Sequence, residues 1–205
     1  AYLTRFGFGV KTGIEIGEAS GVLASPENKS DWVAGDTIQV AIGQLNNRFT
    51  PIQLAAYTMM LANDGVRYKT HLVHSVRSYD GSVETVVQPE IADRLDIDAT
   101  TLKTVKDGMI AVASVSGGTA YSSFRDAPYT VAAKTGTAQN GNNDRSDHGV
   151  FIAYAPAENP EVAISVVMEN GTSAPAHQVA RTVLDAYFAS KAAGSAPTPE
   201  QELLP

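Results

Sequence analysis

The stretch Val-Ala-Ala-Lys-Thr-Gly-Thr-Ala-Gln, residues 131–139, has small side chains on both sides of Lys134 and completes a β-rich run that begins at Tyr129. Side chains this small leave the face of an extended strand nearly flat, so that another backbone can lie against it. Further β-rich runs follow at 149–154 and 161–169, and the prolines between them cannot continue a strand ladder. The order predicts three consecutive antiparallel strands.

The third run is apolar at nearly every position from Val162 to Met168, which predicts that both faces of this strand are covered. We therefore expect it at the centre of a sheet with helices on either side. A closing helix over residues 176–190 is predicted to pack on the sheet through the stripe formed by Val179, Val183, Leu184 and Tyr187. Residues 192–205, rich in Ala, Pro and Glu, are predicted to be disordered.

Two helices are predicted upstream of these strands. Thr50 precedes Pro51 as an N-cap, and the apolar positions that follow recur on one face until Asn63-Asp64-Gly65 ends the helix. A second helical pattern covers residues 98–115, with Asp98 as its candidate cap and two glycines after its end. Together they predict that helices dominate the middle of the chain.

The remaining upstream segments are less regular. Residues 71–87 alternate loosely around Asp80-Gly81, a pair that tolerates positive φ, and predict a small hairpin with a two-residue turn. Residues 1–36 are rich in Gly, Ser and Pro and predict a long irregular connection with short structured pieces. This connection leads into a helical region over 37–128, and the strands with their closing helix occupy 129–191.

Composition narrows the range of functions. The formal net charge is −7 and the 15 Lys and Arg residues are scattered, so we expect no nucleic acid as a partner. The chain has no cysteine, which excludes disulfides, thiolate metal sites and a cysteine nucleophile. No window reaches the roughly 20 apolar residues of a membrane-spanning helix, and no signal peptide opens the sequence.

The tripeptide Lys-Thr-Gly occurs twice. Lys11-Thr12-Gly13 lies in the irregular opening segment, where a glycine after threonine most simply serves a turn, and we expect no chemistry from it. Lys134-Thr135-Gly136 ends a predicted strand and is the candidate functional copy. His148, with Asp144 and Asp147 nearby, is interpreted as a solvated loop histidine, so no metal site is expected.

An ordered series of motifs resembles a known family. In chain order the motifs are Phe6–Ile14, Ile42-Gly43-Gln44, Thr50–Ala55, Gly117-Gly118-Thr119-Ala120, Lys134–Gln139, and His148 before Phe151–Pro156. In order and spacing they are similar to the transpeptidase domain of class B penicillin-binding proteins. The resemblance covers about residues 3–190.

The resemblance implies a fold and a reaction. The fold is α+β, an antiparallel sheet covered by helices on both faces with a helical subdomain, here present only as its C-terminal part over residues 1–191. The reaction is the cross-linking of peptidoglycan stem peptides by a serine enzyme that β-lactams acylate. Its chemistry needs a nucleophilic Ser with a Lys one helical turn later, a Ser-x-Asn loop and the Lys-Thr-Gly strand.

Only the third of these elements occurs in the sequence. No Lys follows a Ser by three positions, and no Ser-x-Asn is present. In the resembled family both missing motifs lie upstream of the point at which this sequence begins. We therefore expect the chain to be a fragment of a longer protein and to be inactive on its own.

The resemblance also implies roles for the residues of the second tripeptide. Lys134 holds the substrate carboxylate and assists proton transfer, and the hydroxyls of Thr135 and Thr137 bind the same carboxylate. The backbone N–H of Thr137 forms half of the oxyanion hole, Gly136 permits close backbone approach, and Gln139 completes the substrate-binding set. Lys134 and Thr137 are thus the candidate catalytic residues, and no cofactor is expected.

Partners and location follow from the same resemblance. The expected partners are the peptidoglycan stem peptide, β-lactams and the missing N-terminal part of the domain, with a glycosyltransferase and other cell-wall synthesis proteins in second place. The expected location is the extracytoplasmic face of the bacterial membrane, with the parent anchored by an upstream transmembrane helix. The alternatives are a β-lactam sensor, a non-catalytic scaffold module on the same fold, or a soluble β-lactamase or carboxypeptidase, and the preceding sequence would decide among them.

Overall fold

The computed structural model describes residues 2–139 and 146–194, which form helices and short antiparallel sheets. The helices are α1 (Tyr2–Arg5), α2 (Ala34–Ala41), α3 (Pro51–Ala62), α4 (Ala99–Ser114), α5 (Tyr121–Phe124) and α6 (Ser173–Ala192). The strands are β1 (Val66–Tyr68), β2 (Ser75–Arg77), β3 (Glu84–Val86), β4 (Ile91–Arg94), β5 (Ala132–Ala138), β6 (His148–Ala155) and β7 (Val162–Met168). Within these two described ranges, no helix has both the length and the apolar character that a membrane crossing requires.

The main sheet has the strand order β5-β6-β7, and both pairings are antiparallel. This confirms the three predicted consecutive strands. Among the described residues, β7 pairs only with β6, so its other edge is unpaired and the predicted central position would need a further strand from elsewhere. The predicted cover of both faces is confirmed, since α3 contacts β7 from one side and α6 from the other.

Helices cover both faces of this sheet, which confirms the predicted α+β architecture. On one face, side chains from α5 and α6 pack around Phe151, which is fully buried. On the other face, α3 and α4 enclose Tyr154, which is also fully buried. Burial raises the pKa of the Tyr154 hydroxyl to about 12. Phe151 and Tyr154, three positions apart on β6, thus anchor two separate helical layers, because side chains an odd number of positions apart on a strand point to opposite faces.

The apolar stripe of α6 differs from the predicted one. Leu184 is buried as expected, but Val179 and Val183 are 42% and 48% exposed. The remaining buried positions of the helix are Ala176, His177 and Ala180. Two alanines allow the helix axis to approach the sheet closely, so the face with the smallest side chains is the one that packs. His177 is buried among these residues, and its Nδ1 lies 2.7 Å from the hydroxyl of Ser123.

The two predicted upstream helices are confirmed, together with their caps. The hydroxyl of Thr50 accepts a hydrogen bond from the backbone N–H of Gln53 at 3.3 Å, and the Gln53 side-chain oxygen accepts one from the N–H of Thr50 at 3.0 Å. At the start of α4, the Asp98 carboxylate accepts a hydrogen bond from the N–H of Thr101 at 2.8 Å. Helix α2 begins at Ala34, three residues before the predicted start of the helical region.

The small hairpin is confirmed, but its two-residue turn is wrong. Strands β2 and β3 pair from Arg77 opposite Glu84 outward, which leaves residues 78–83 as the loop. Of the central pair only Gly81 has a positive φ, of +71°. The Asp80 carboxylate instead accepts hydrogen bonds from the hydroxyls of Ser78 and Ser82, which shapes a longer loop. The pairing of β1 with β4 and the short helix α5 were not predicted, because segments of three or four residues carry no clear periodicity.

The opening segment is irregular, as predicted, apart from the four-residue helix α1. It is held to α3 by Gln53, whose side-chain amide donates to the carbonyls of Val10 and Ser20 at 2.7 Å each. Gln53 is buried, so these hydrogen bonds satisfy its amide away from water. The predicted disordered tail meets the end of α6 at Ala192, and residues 195–205 lie outside the described residues.

Candidate active site

The second Lys-Thr-Gly tripeptide occupies the middle of β5 and not its end as predicted, with Lys134 opposite Ile152 and Gly136 opposite Val150 on β6. Within the described residues, the opposite edge of β5 is not paired with another strand. The carbonyls of Thr135 and Thr137 accept hydrogen bonds from side chains, at 2.6 and 3.1 Å, and face this open edge. Because the N–H and C=O of one strand residue point to the same edge, the N–H groups of both threonines are directed there as well.

The side chains of β5 alternate between the two faces of the sheet. Lys134 is exposed, and its ammonium donates to the Thr135 carbonyl at 2.6 Å, so the cation lies directly over the open edge. Thr137 is exposed, and Thr135 is half-buried. The structure therefore brings a cation, two hydroxyls and two outward N–H groups together within the four residues 134–137. This is a surface on which an extended, negatively charged ligand could pair with the strand.

The glycine-rich loop after α4 lies beside this strand. The Thr119 and Thr135 hydroxyl oxygens are 2.8 Å apart. A Cβ on Gly118 would lie 2.5 Å from the carbonyl oxygen of Val112, so only glycine allows the loop to pass the end of α4 this closely. Two of the motifs that carried the resemblance, 117–120 and 134–139, thus meet in space.

Gly136 is not required by the fold around it. Its φ lies outside the left-handed region, and a Cβ there would meet Val150 at 3.4 Å, which is an ordinary contact. Neither backbone conformation nor packing among the described residues accounts for glycine at this position. Glycine at this position does leave space for a ligand backbone to lie against the strand. Gln139 is exposed at the end of the described stretch, one residue after β5.

The first tripeptide belongs to a folded loop. The Glu18 carboxylate accepts hydrogen bonds from the N–H of Thr12 at 2.9 Å, from its hydroxyl at 2.8 Å and from the N–H of Gly13 at 2.9 Å. Thr12 is buried, and Gly13 has a φ of +97° that favours glycine. The positive φ of Gly13 is a conformation that glycine adopts readily, and the hydrogen bonds to Glu18 occupy the N–H groups of Thr12 and Gly13 and the Thr12 hydroxyl.

The prediction of a solvated loop histidine is wrong, because His148 is the first residue of β6, is half-buried, and accepts a hydrogen bond at Nδ1 from the N–H of Asn170 at 3.0 Å. This contact ties the strand to the loop before α6. Of the two acids near it in sequence, Asp144 lies outside the described residues. Across residues 2–139 and 146–194, His, Asp and Glu side chains form no group of three that could hold a metal ion.

Gln44 contacts the strand although the sequence did not assign it to the site. Its side-chain amide donates to the Thr137 carbonyl at 3.1 Å, across 93 positions of sequence. Thr119 is a second contact of this kind. Each residue belongs to a motif of the resemblance, and that membership is the signal by which both could have been found.

Comparison with known proteins shows the family. Residues 1–187 match the model for the penicillin binding protein transpeptidase domain. The peptidoglycan D,D-transpeptidase MrdA of Escherichia coli strain K12 is 38% identical over 204 residues, covering 90% of this chain and 32% of MrdA. The chain belongs to the penicillin binding protein transpeptidase family, and it spans about a third of the length of such curated relatives.

Two solved structures are similar over nearly the whole chain. The first is Pseudomonas aeruginosa PBP2 in complex with WCK 5153, with a TM-score of 0.76 and 34% identity over 91% of this chain and 42% of that one. The second is the complex between PBP2 and MreC from Helicobacter pylori, with a TM-score of 0.73 and 30% identity over 92% of this chain and 35% of that one. The mixed architecture described above is therefore that of the penicillin-binding transpeptidase fold.

Proposed function

We propose that this chain is the later part of a peptidoglycan D,D-transpeptidase, which cross-links stem peptides through an acyl-serine intermediate and is acylated by β-lactams. The observation that carries the proposal is the open edge of β5, where Lys134 lies beside outward N–H groups in a chain of this family. An extended peptide with a terminal carboxylate matches that edge in both shape and charge. The similarity to MrdA supports the same reaction.

Each residue of the strand has a proposed role in this reaction. Lys134 pairs with the substrate carboxylate, and the hydroxyls of Thr135 and Thr137 donate to the same group. The N–H of Thr137 donates to the oxyanion that develops on the attacked carbonyl, where a fixed donor stabilises charge more than mobile water does. Gly136 keeps the face of the strand open, and Gln139 extends the binding surface beyond β5.

The nucleophile is proposed to lie in a preceding segment of a longer protein. No Lys in this sequence follows a Ser by three positions, and the chain covers only 32% of MrdA. Without a nucleophile, β5 can offer electrostatic complementarity but no covalent capture. The chain alone is therefore expected to be inactive.

The setting of the parent protein follows the same proposal. We place its transpeptidase domain on the extracytoplasmic face of a bacterial membrane, where stem peptides are cross-linked. The complex of PBP2 with MreC from Helicobacter pylori supports the proposal that the parent binds a protein similar to MreC. We propose a glycosyltransferase as a further partner of the parent protein.

A fluorescent penicillin tests the function directly. The full-length gene product and the 205-residue chain are incubated with the label and separated by denaturing electrophoresis. The proposal expects a labelled band for the full-length protein, with the adduct mapped to a Ser that precedes Lys by three positions, and none for the chain alone. An unlabelled full-length protein would contradict the reaction, and a stable adduct on the chain would contradict the placement of the nucleophile.

A further inference from the structure

The open edge of β5 is held by a residue from a distant loop. The Gln44 side-chain amide donates to the Thr137 carbonyl at 3.1 Å, and Gln44 is half-buried against the strand. We propose that Gln44 is a positioning residue that holds the Thr137 carbonyl at the open edge and so keeps Thr137 in the extended conformation in which its own N–H, proposed to stabilise the oxyanion, points to the same edge. This inference rests on the proposed transpeptidase function and adds a residue to its active site.

The backbone of the loop that carries Gln44 has an unusual conformation on both sides of this residue. Gly43 and Leu45, on either side of it, have positive φ values of +80° and +67°. Leucine rarely adopts such a conformation, because its Cβ crowds the following carbonyl. A strained backbone persists only where the surroundings fix it, and strain of this kind concentrates at functional sites.

Hydrogen bonds fix the loop at both backbone groups of Gln44. Its N–H donates to the carbonyl of Gln39 at 3.0 Å, and its carbonyl accepts from the Asn47 side-chain amide at 3.1 Å. The Asn47 side-chain oxygen in turn accepts from the N–H of Ala24 at 2.9 Å. The chain of contacts runs from the opening segment through Asn47 and Gln44 to Thr137. Because its backbone is fixed by these hydrogen bonds, the Gln44 side chain can restrict the motion of the Thr137 carbonyl.

The end of β5 is where such support has the largest effect. Thr137 is the last but one residue of the strand, and its partner on β6 is Gly149, which has no side chain to pack against it. The Thr137 carbonyl lies in the peptide group after its Cα and the N–H in the one before it, so the hydrogen bond from Gln44 acts on the N–H by keeping the backbone extended at this residue. A donor aimed at a developing charge must be held close to its productive direction, so a small loss of order at this residue lowers the rate.

Two substitutions of Gln44 separate the effect of losing the hydrogen-bond donor from the effects of changing the size or the charge of the side chain. Gln44→Glu keeps the shape but replaces the amide donor with an acceptor, and Gln44→Met keeps the length without charge or donor. Gln39→Glu is the matched control, since it makes the same chemical change at an exposed position of the preceding helix. All three are made in the full-length protein.

The readouts are the acylation of each variant by fluorescent penicillin, resolved into the first-order acylation constant and the apparent dissociation constant, and its midpoint of thermal unfolding. We expect Gln44→Glu and Gln44→Met to lower the acylation constant by about tenfold, the scale of one lost hydrogen bond. The dissociation constant should change less, and Gln39→Glu should match the wild type. The first-order constant describes only bound, folded enzyme, so it can be compared even where a variant lowers the unfolding midpoint.

Three outcomes would overturn the inference: an unchanged acylation constant in both Gln44 variants, a loss confined to the dissociation constant, or a loss in Gln44→Glu alone, which would report the charge. The proposed function fails separately, because it is lost only if the wild-type full-length protein is not acylated.

Discussion

The hydroxyl oxygens of Thr119 and Thr135 lie 2.8 Å apart and join the loop after α4 to the Lys-Thr-Gly strand. These two residues, 16 positions apart in sequence, therefore lie on the same surface at the open edge of β5. The hydroxyl of Thr135, which we propose binds the substrate carboxylate, is oriented by this neighbour.

Thr119→Val in the full-length protein should remove this hydrogen bond while keeping the shape of the side chain. We expect the free energy of unfolding to fall by about 1 kcal/mol, because the Thr135 hydroxyl loses a partner at a half-buried position. Denaturant unfolding measures the change. Thr119→Ser, which keeps the hydroxyl, is the control and should remain near the wild type, and an equal loss in both variants would show that the methyl group carries the effect.

The edge of β7 predicts how the 205-residue chain behaves in isolation. Among the described residues β7 is paired only on the side of β6, which leaves backbone groups free beside an apolar strand. Such an edge is a template for pairing with another chain. We expect the isolated chain to be poorly soluble, or ordered only with a second copy or a complementary N-terminal segment.

Hydrogen exchange on the isolated chain checks this expectation. Those amides of Val162–Met168 that point away from β6 should exchange rapidly in a dilute sample and become protected as association proceeds. Strong protection of this strand in a demonstrably monomeric sample would show that the chain closes its own core and would contradict the prediction.

Burial of His177 predicts a dependence of stability on pH. Burial lowers the pKa of the imidazole below its ordinary value of 6.5, so the folded state favours the neutral ring. Below pH 6.5 the unfolded state binds more protons than the folded state, and the stability contributed by the neutral ring is lost as the pH falls through the lowered pKa. Above that window the contribution is fully present.

The variant His177→Asn isolates this effect in the full-length protein. Its side chain keeps a polar group near Ser123 but does not titrate between pH 5 and 7. Free energies of unfolding measured across that range should fall more steeply with decreasing pH for the wild type than for the variant. Parallel curves would show that His177 does not cause the slope.

The sequence was most informative where regular patterns extend over many residues. The caps at Thr50 and Asp98 and the three strands after residue 129 were predicted because each has a periodic or turn signal of its own. The packed face of α6 was not, since Ala176 and Ala180 are buried only because the sheet lies close to them. Hydrophobicity favours Val179 and Val183, whereas close approach favours small residues, and only the assembled layers decide between them.

The candidate site shows the same limit. Lys134 and its neighbours were predicted because the tripeptide stands at the end of a strand-like run. Gln44 was not, because its contact with Thr137 spans 93 positions, and its place in a motif of the resemblance was the one signal that pointed to the site. The apolar sequence of β7 likewise predicts that both of its faces are covered, but it does not give the number of strands that pair with it.

We propose that the second Lys-Thr-Gly tripeptide, and not the first, belongs to the active site of the parent transpeptidase. The most direct measurement compares Lys134→Ala with Lys11→Ala in the full-length protein, by the second-order rate constant for acylation with a fluorescent penicillin. We expect Lys134→Ala to lower this rate constant by about a hundredfold or more, because the group takes part in binding and proton transfer. The rate constant of Lys11→Ala should be close to that of the wild type. Equal losses in both variants, or an unchanged rate for Lys134→Ala, would contradict this proposal.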